Sequence, residues 1–152
     1  MKLYLDNCCY NRPYDDQAQE KIHLEGQAVL SIINRSMRGG DEIIGSPALE
    51  LEIGWTGDVG KKEKVGCLYR QTVTTRAGYT EDVPKLASEL SGHTGLKTLD
   101  AFHLSFAETA GADFLLTTDA KFEKLCSKLT LKVRVMNPLR YLTEVMLDED
   151  DT

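Results

Sequence analysis

The chain has 152 residues, of which 41% are hydrophobic and 28% are charged, as expected for one globular domain with a substantial core. Its four cysteines include no C-x-x-C pair and its histidines show no zinc-ligand spacing, which argues against a disulfide framework and a zinc site. No secretion signal opens the chain and no apolar run approaches the roughly 18 residues of a membrane span, so we expect a cytoplasmic protein with free thiols and no membrane partner.

The formal net charge of -6 is unevenly distributed along the chain. The last six residues, LDEDDT, hold four of the 24 acids, so residues 1–147 carry 18 basic and 20 acidic residues, a net charge of -2. Because blocks of like charge usually stay unfolded, we predict one domain over residues 1–147 and a disordered acidic tail over 148–152. If metal neutralised four acids of the domain, the rest would carry +2, so a polyanionic partner is not excluded.

Short apolar strands alternate with longer helical segments along the chain. The predicted strands are KLYL, EIIG, FLLTT and KVRV, at residues 2–5, 42–45, 114–118 and 132–135. Strands that alternate with helices usually form a parallel sheet covered by helices. The order of elements therefore predicts an α/β domain with a mostly parallel sheet.

The segments between these strands have the features of helices. In DQAQEKIHLEGQAVLSIINRSMRGG, apolar residues recur at helical spacing until two glycines stop the pattern. SPALELEIGW begins with Ser46 as a cap and Pro47 at the first helical position, where the missing N–H costs nothing. A helix is also predicted over residues 60–71, and another in TEDVPKLASELSG with Thr80 as its cap.

Acidic residues follow or interrupt the apolar segments at three points. Asp100 lies in LKTLDAFHLSFAETAG, a helix apolar on nearly every side, and such a helix is buried. A carboxylate there costs several kcal/mol unless it is protonated, paired or bound to a cation. FLLTT ends at Asp119 just as KLYL ends at Asp6, and the ligand crevice of an open α/β sheet lies at the carboxyl ends of its strands. The three acids are therefore expected to meet.

Glu50 and Glu52 compete for the place of a fourth acid. On a helical wheel of about 100° per residue, Glu52 falls inside the apolar arc and Glu50 outside it, so we predict Glu52. Carboxylates without a neighbouring lysine or arginine suit Mg²⁺ and Mn²⁺, and a metal-activated water at such a site can hydrolyse phosphodiesters. Each acid alone could instead be a cap or an ion-pair partner, and Asp119 could cap AKFEKLCSKL. Their joint placement favours a metal site.

Three motifs of the chain resemble those of the PIN domain family, which includes the VapC-type toxins of bacterial toxin-antitoxin pairs. They are YLDNCCYNRPYDD, SPALELEIGW and LDAFHLSFAETAGADFLLTTDAKF. The resemblance covers essentially the whole chain and implies a three-layer α/β/α sandwich with ribonuclease activity. It implies that Asp6, Glu52, Asp100 and Asp119 bind Mg²⁺ or Mn²⁺ and catalyse the reaction, with Thr117 as a supporting hydroxyl. It also implies an RNA substrate, a homodimer and a small antitoxin protein that reaches into the acidic site.

Several other polar residues near the motifs have two interpretations each. Many family members have asparagine where this chain has Cys8, so a polar support near Asp6 is expected to be missing. His103 could orient a water or a ligand, or be a hydrogen-bonded core residue, and we leave it out of the catalytic set. Arg12 could contact a phosphate or form a salt bridge in a turn. A basic stretch could follow a nucleic-acid backbone or be a solvated face; it comprises Lys61, Lys62, Lys64, Arg70 and Arg76.

The alternative function is a catalytically silent PIN-like module that binds nucleic acid or protein. Such a module would be marked by a replaced acid, and none of the four is replaced. A phosphotransferase of the haloacid dehalogenase kind needs a second aspartate two residues after the first, where Cys8 stands. A P-loop is absent from the sequence. The sequence therefore favours the nuclease.

Overall fold

The computed structural model describes residues 1–150, except for the side chains of His93, Glu149 and Asp150. Within these residues the chain forms one five-stranded sheet with the order β3-β2-β1-β4-β5, and every neighbouring pair of strands is parallel. The strands are β1 (Lys2–Leu5), β2 (Glu42–Gly45), β3 (Thr75–Arg76), β4 (Phe114–Leu116) and β5 (Arg134–Met136). The predicted α/β class with a parallel central sheet is confirmed.

Helices cover both faces of this sheet and complete the three-layer α/β/α sandwich. They are α1 (Asn7–Asn11), α2 (Glu20–Met37), α3 (Pro47–Gly54), α4 (Val59–Thr72), α5 (Asp82–Thr94), α6 (Thr98–Thr109), α7 (Ala120–Cys126), α8 (Pro138–Tyr141) and α9 (Leu147–Asp150). A 3-10 turn, Arg12–Tyr14, follows α1, and a π-helical turn, Leu142–Met146, joins α8 to α9. In the part of the chain that the structure describes, no helix is long and apolar enough to cross a membrane.

The core lies around the three central strands. All three residues of β4, and all but the first residue of β1 and β2, are buried. Continuous apolar runs of this kind are typical of parallel strands that are covered on both faces. Strands β1 and β4 are parallel neighbours in the sheet, with Leu5 opposite Leu116. The residues that follow the two strands therefore meet at one edge of the sheet.

Local capping explains where several helices begin. Ser46 Oγ accepts a hydrogen bond from the backbone N–H of Leu49 at 3.1 Å, and Pro47 occupies the first position of α3, as predicted. The predicted cap of α5 is wrong, because that helix begins at Asp82 with Glu81 in the cap position and not Thr80.

The predicted disordered tail over 148–152 falls partly outside the described residues. Residues 148–150 belong to α9, where a helix continues from the preceding turn in spite of the acidic composition. Residues 151 and 152 lie outside the described range. The domain boundary after residue 147 stays a prediction.

Candidate active site

Asp6 lies directly after β1, and its carboxylate accepts a backbone and a hydroxyl hydrogen bond. Its Oδ1 accepts from the backbone N–H of Asn7 at 2.8 Å, and its Oδ2 accepts from the hydroxyl of Thr117 at 2.9 Å. The first bond caps α1, and the second comes from the residue that follows β4. With only 7% of its surface exposed, Asp6 is a nearly buried carboxylate fixed at the sheet edge.

Cys8 takes part in the support of Asp6. Its thiol donates to Asp6 Oδ2 at 3.4 Å and lies 3.4 Å from Thr117 Oγ1, while Sγ accepts from the N–H of Thr118 at 3.3 Å. Thiols form weak hydrogen bonds of this length. The expectation that a polar support would be missing at this position is therefore wrong, although the sulfur supplies a weaker contact than an amide would.

Glu52 on α3 reaches the same place through His103 on α6. The carboxylate oxygen Glu52 Oε1 lies 2.7 Å from His103 Nε2, and Asp6 Oδ1 lies 3.9 Å from the same nitrogen. One ligand atom of each of these three residues falls within 4.8 Å of the other two. Two oxygen donors and one imidazole thus converge from three different elements.

Asp100 stands one helical turn before His103 and is half-buried. Burial, the largest cause, and the negative charges of Asp6, Asp119 and Glu52 together raise the pKa of its carboxyl to about 6, against the opposing effect of His103. In the described part of the chain no hydrogen bond reaches the Asp100 carboxylate. Asp100 is therefore a half-buried acid near three other acids, and His103 offsets their effect only in part.

Asp119 lies at the exposed rim of the cluster. Its Oδ1 accepts from the N–H groups of Lys121 and Phe122 at 3.0 and 3.1 Å and so caps α7, as the sequence suggested. Its own N–H donates to Thr117 Oγ1 at 3.1 Å. The hydroxyl of Thr117 therefore connects Asp119 to Asp6.

The family model for the PIN domain matches residues 25–128. The chain belongs to the PIN domain family. The matched segment includes three of the four acids, and Asp6 precedes it.

A solved structure has a similar fold over almost its entire length. The chain resembles a chain in the crystal structure of VapBC2 from Rickettsia felis bound to a DNA fragment from their promoter, with a TM-score of 0.58 and 11% identity. The likeness covers 90% of this PIN domain and 98% of that chain. A comparison with curated proteins found no match. At this low identity, the structural likeness supports the fold alone.

Glu50 and Glu52, two residues apart on α3, lie in different surroundings. Glu50 is clamped by Arg76, with Nε and Nη2 at 2.8 and 2.7 Å, and it accepts from the hydroxyl of Tyr69 at 2.8 Å. Arg76 is the main cause of the lowered pKa of the Glu50 carboxyl. Glu52, not Glu50, lies beside Asp6. The helical wheel nevertheless overestimated how much of α3 is buried. Leu51 and Trp55 belong to its apolar arc but are 51% and 64% exposed.

Arg12 and Lys61 are engaged by carboxylates of the domain itself. Arg12 donates from Nε to Glu25 at 3.0 Å and from Nη1 to Asp15 at 3.1 Å, and Lys61 pairs with the other oxygen of Asp15. Glu25 is fully buried and also accepts from the side chain of Asn137. The structure therefore selects the salt-bridge interpretation of Arg12, which joins the 3-10 turn after α1 to α2.

His103 lies within the candidate site, although the sequence analysis left it out of the catalytic set. Its side chain is 1% exposed, and burial by itself would lower its pKa most strongly. The hydrogen bond to Glu52 and the charges of Asp6, Glu52 and Asp100 outweigh that effect and raise the pKa of the imidazole above its ordinary value. The signal for this role was the spacing D-x-x-H, which puts Asp100 and His103 on one face of a helix.

The donor set fits a hard divalent cation. Among the described residues, no lysine or arginine forms an ion pair with any of the four acids. Carboxylate oxygens are the ligands that Mg²⁺ and Mn²⁺ prefer, and a bound cation would relieve the repulsion that raises the pKa of Asp100. Among the described residues, Asp6 and Glu52 lie with His103 at the spacing of metal ligands, whereas the predicted ligands Asp100 and Asp119 fall outside that group.

Proposed function

We propose that this PIN domain is a cytoplasmic, metal-dependent endoribonuclease that hydrolyses RNA phosphodiester bonds with Mg²⁺ or Mn²⁺. The supporting observation is Asp100, a half-buried carboxylate that three other acids surround without a lysine or arginine to offset them. Such an arrangement costs stability and therefore suggests a function that needs a cation. Asp6, Glu52, Asp100 and Asp119 are the proposed metal-binding and catalytic residues.

In this proposal each acid has a distinct task. The Asp6 carboxylate is buried and fixed by hydrogen bonds from Asn7 and Thr117, so it would hold the cation in a set position. Asp119 is exposed and lies on the side from which a substrate would enter. Asp100 must be ionised to bind metal. When bound, the cation would supply a water of lowered pKa as nucleophile and would stabilise charge on the attacking and leaving oxygens.

We further propose that the chain is the toxin of a toxin-antitoxin pair, that it is a homodimer, and that a small antitoxin protein occupies the site. The similar fold of a VapBC2 chain supports this proposal at the level of the fold. Three exposed large apolar side chains near Glu52 in the sequence support a protein partner; they are Leu51, Trp55 and Val59, which are 51%, 64% and 78% exposed.

The decisive experiment is cleavage of a panel of structured RNAs by the purified protein with Mg²⁺ or Mn²⁺. We expect EDTA, Asp100→Asn and Glu52→Gln each to reduce cleavage by about 100-fold or more, since groups that stabilise a transition state directly contribute on that scale. Glu50→Gln is the matched control, because Glu50 lies two residues from Glu52 but is bound to Arg76. It should leave cleavage unchanged.

Three results would contradict this function. Cleavage that survives EDTA would exclude the metal mechanism. Absence of cleavage together with calorimetric binding of Mn²⁺ would favour the alternative, a catalytically silent PIN-like module that binds nucleic acid or protein. Absence of both cleavage and Mn²⁺ binding would disprove the four-acid site itself.

A further inference from the structure

A chain of hydrogen bonds lies beneath the four acids. It runs from Glu52 Oε1 to His103 Nε2, from His103 Nδ1 to the hydroxyl of Tyr4, and from that hydroxyl to Ser46 Oγ, and each step measures 2.7 Å. Tyr4 and Ser46 are 0% exposed and His103 is 1% exposed. The hydroxyl of Tyr4 and the imidazole of His103 form this chain without touching solvent, and we call it the Tyr4–His103 relay.

The relay connects the elements that carry the acids. Tyr4 lies on β1, which ends at Asp6, and His103 lies on α6 with Asp100. Ser46 caps α3, and Glu52 lies on the same helix, so the relay begins and ends on α3. It therefore fixes the position of α3 relative to β1 and α6. This position sets how Glu52 stands with respect to Asp6 and Asp100.

The direction of the protons in the relay follows from Ser46. The N–H of Leu49 donates to Ser46 Oγ, so the Ser46 proton needs an acceptor of its own. In the described residues the hydroxyl of Tyr4 is the acceptor within reach. Tyr4 then donates its proton to His103 Nδ1, and the ring proton lies on Nε2, from which it is donated to Glu52.

The opposite direction leaves a buried group unsatisfied. If His103 Nδ1 donated to Tyr4, Tyr4 would donate to Ser46, and the Ser46 proton would have no acceptor at a site with 0% exposure. Binding of a metal by Nε2 requires this opposite direction, because Nε2 would then carry no proton. The hydrogen bonds thus favour His103 as a donor to Glu52 rather than as a metal ligand.

We propose that His103 is a positioning residue that aims the carboxylate of Glu52 at the bound metal, and that Tyr4 and Ser46 fix the tautomer and orientation of its ring. This inference rests on the proposed metal-dependent function. Glu52 Oε1 is used by His103, whereas Glu52 Oε2 makes no hydrogen bond in the described part of the chain and is free for a cation. Hydrogen-bonded supports of this kind typically change metal affinity about 10- to 100-fold.

The first measurement needs no variant and no activity. NMR of the ¹⁵N-labelled, metal-free protein, at a pH high enough to deprotonate the His103 ring, whose pKa lies above the ordinary histidine value, should show His103 as the neutral tautomer with its proton on Nε2. A proton on Nδ1 would overturn the proposal.

Electron paramagnetic resonance of the Mn²⁺-loaded protein should show no nitrogen coupling from His103. A nitrogen coupling that His103→Gln removes would show that His103 is a metal ligand and would overturn the proposal.

The second measurement compares two buried tyrosines. Tyr4→Phe removes the hydroxyl that orients His103 and should weaken Mn²⁺ binding about tenfold by calorimetry and lower kcat for RNA with little change in KM. Tyr10→Phe is the matched control, because Tyr10 is also 0% exposed and its hydroxyl has no hydrogen-bond partner among the described residues. It should leave Mn²⁺ binding unchanged. Equal effects of the two variants would overturn the proposal.

A direct change of His103 separates positioning from folding. His103→Gln keeps an N–H donor near Glu52 and should retain more Mn²⁺ affinity than His103→Ala, with circular dichroism as a check of folding. Equal losses in both variants would contradict a positioning role. If the wild-type protein binds Mn²⁺ but cuts no RNA, the proposed function fails, while the NMR and affinity measurements still decide the role of His103.

Discussion

Asp100 is ionised at neutral pH at a cost to the folded protein. The pKa of its carboxyl is about 6, against an ordinary value of 3.8. An acid whose pKa rises on folding holds its proton more tightly in the folded state. Its contribution to stability is therefore complete below pH 3.8 and is lost as the pH rises through about 6.

This sign leads to a prediction for metal-free protein. Asp100→Asn removes the charge and should raise the melting temperature at pH 7, whereas at pH 4 the gain should largely disappear because most wild-type Asp100 is then protonated. Calorimetric unfolding with EDTA would measure both values. Glu50→Gln should act in the opposite direction at pH 7, because Arg76 lowers the pKa of Glu50 and stabilises its charge. A lower melting temperature for Asp100→Asn at pH 7 would contradict this account.

At the scale of elements, the junction of β2 and α3 requires glycine at position 45, because there is no room for a side chain. A Cβ there would collide with the hydroxyl of Tyr69 and lie 2.9 Å from Val73 Cγ1. The Tyr69 hydroxyl needs this space because it accepts from the N–H of Ser46 and donates to Glu50. Burial, more than the Glu50 charge, raises the pKa of Tyr69, so the hydroxyl keeps its proton as a donor. The first turn of α3 is thereby attached to α4.

We expect Gly45→Ala to lower the free energy of unfolding by roughly 1–3 kcal/mol, the usual cost of overpacking. Urea unfolding would measure it. Gly54→Ala is the matched control at the other end of α3, where a Cβ meets nothing within 4 Å, and it should be neutral or slightly stabilising. The packing account of this junction would be wrong if Gly45→Ala were as stable as the wild type.

At the scale of the whole molecule, metal binding and folding should be coupled. A cation that binds only the folded chain stabilises it by about 2.7 kcal/mol at a concentration 100 times its dissociation constant. Mn²⁺ should therefore raise the melting temperature at pH 7 and much less below about pH 6, where Asp100 takes up a proton. Calorimetry with and without EDTA would test this.

Two variants test whether the Mn²⁺-induced rise in melting temperature comes from the acidic site. Glu50→Gln should keep the Mn²⁺ shift of the wild type, since Glu50 is bound to Arg76. Asp100→Asn should lose it even though its metal-free form is more stable. A full Mn²⁺ shift in Asp100→Asn would place the cation elsewhere.

Much of the architecture could be predicted from local patterns. The strands β1 and β2 have the predicted bounds, Ser46 caps α3 as predicted, and Asp119 caps α7, which was one of the two roles considered for it. The short strand β3 was missed because its two residues are polar and exposed, so no apolar pattern marks it. It is recognised by its pairing with β2, where Thr75 lies opposite Ile44 and Arg76 opposite Gly45.

The sequence by itself determined the order of the strands other than β3, the acid after β1, the acid after β4 and the acid inside α6, because these are periodicities and boundaries within short segments. Only the tertiary structure decided that Glu52 joins Asp6, that Cys8 supports it and that His103 lies beneath both. His103 and Glu52 are 51 positions apart, and Thr117 and Asp6 are 111 apart. Contacts at such separations depend on how the helices pack on the sheet, which no local pattern specifies.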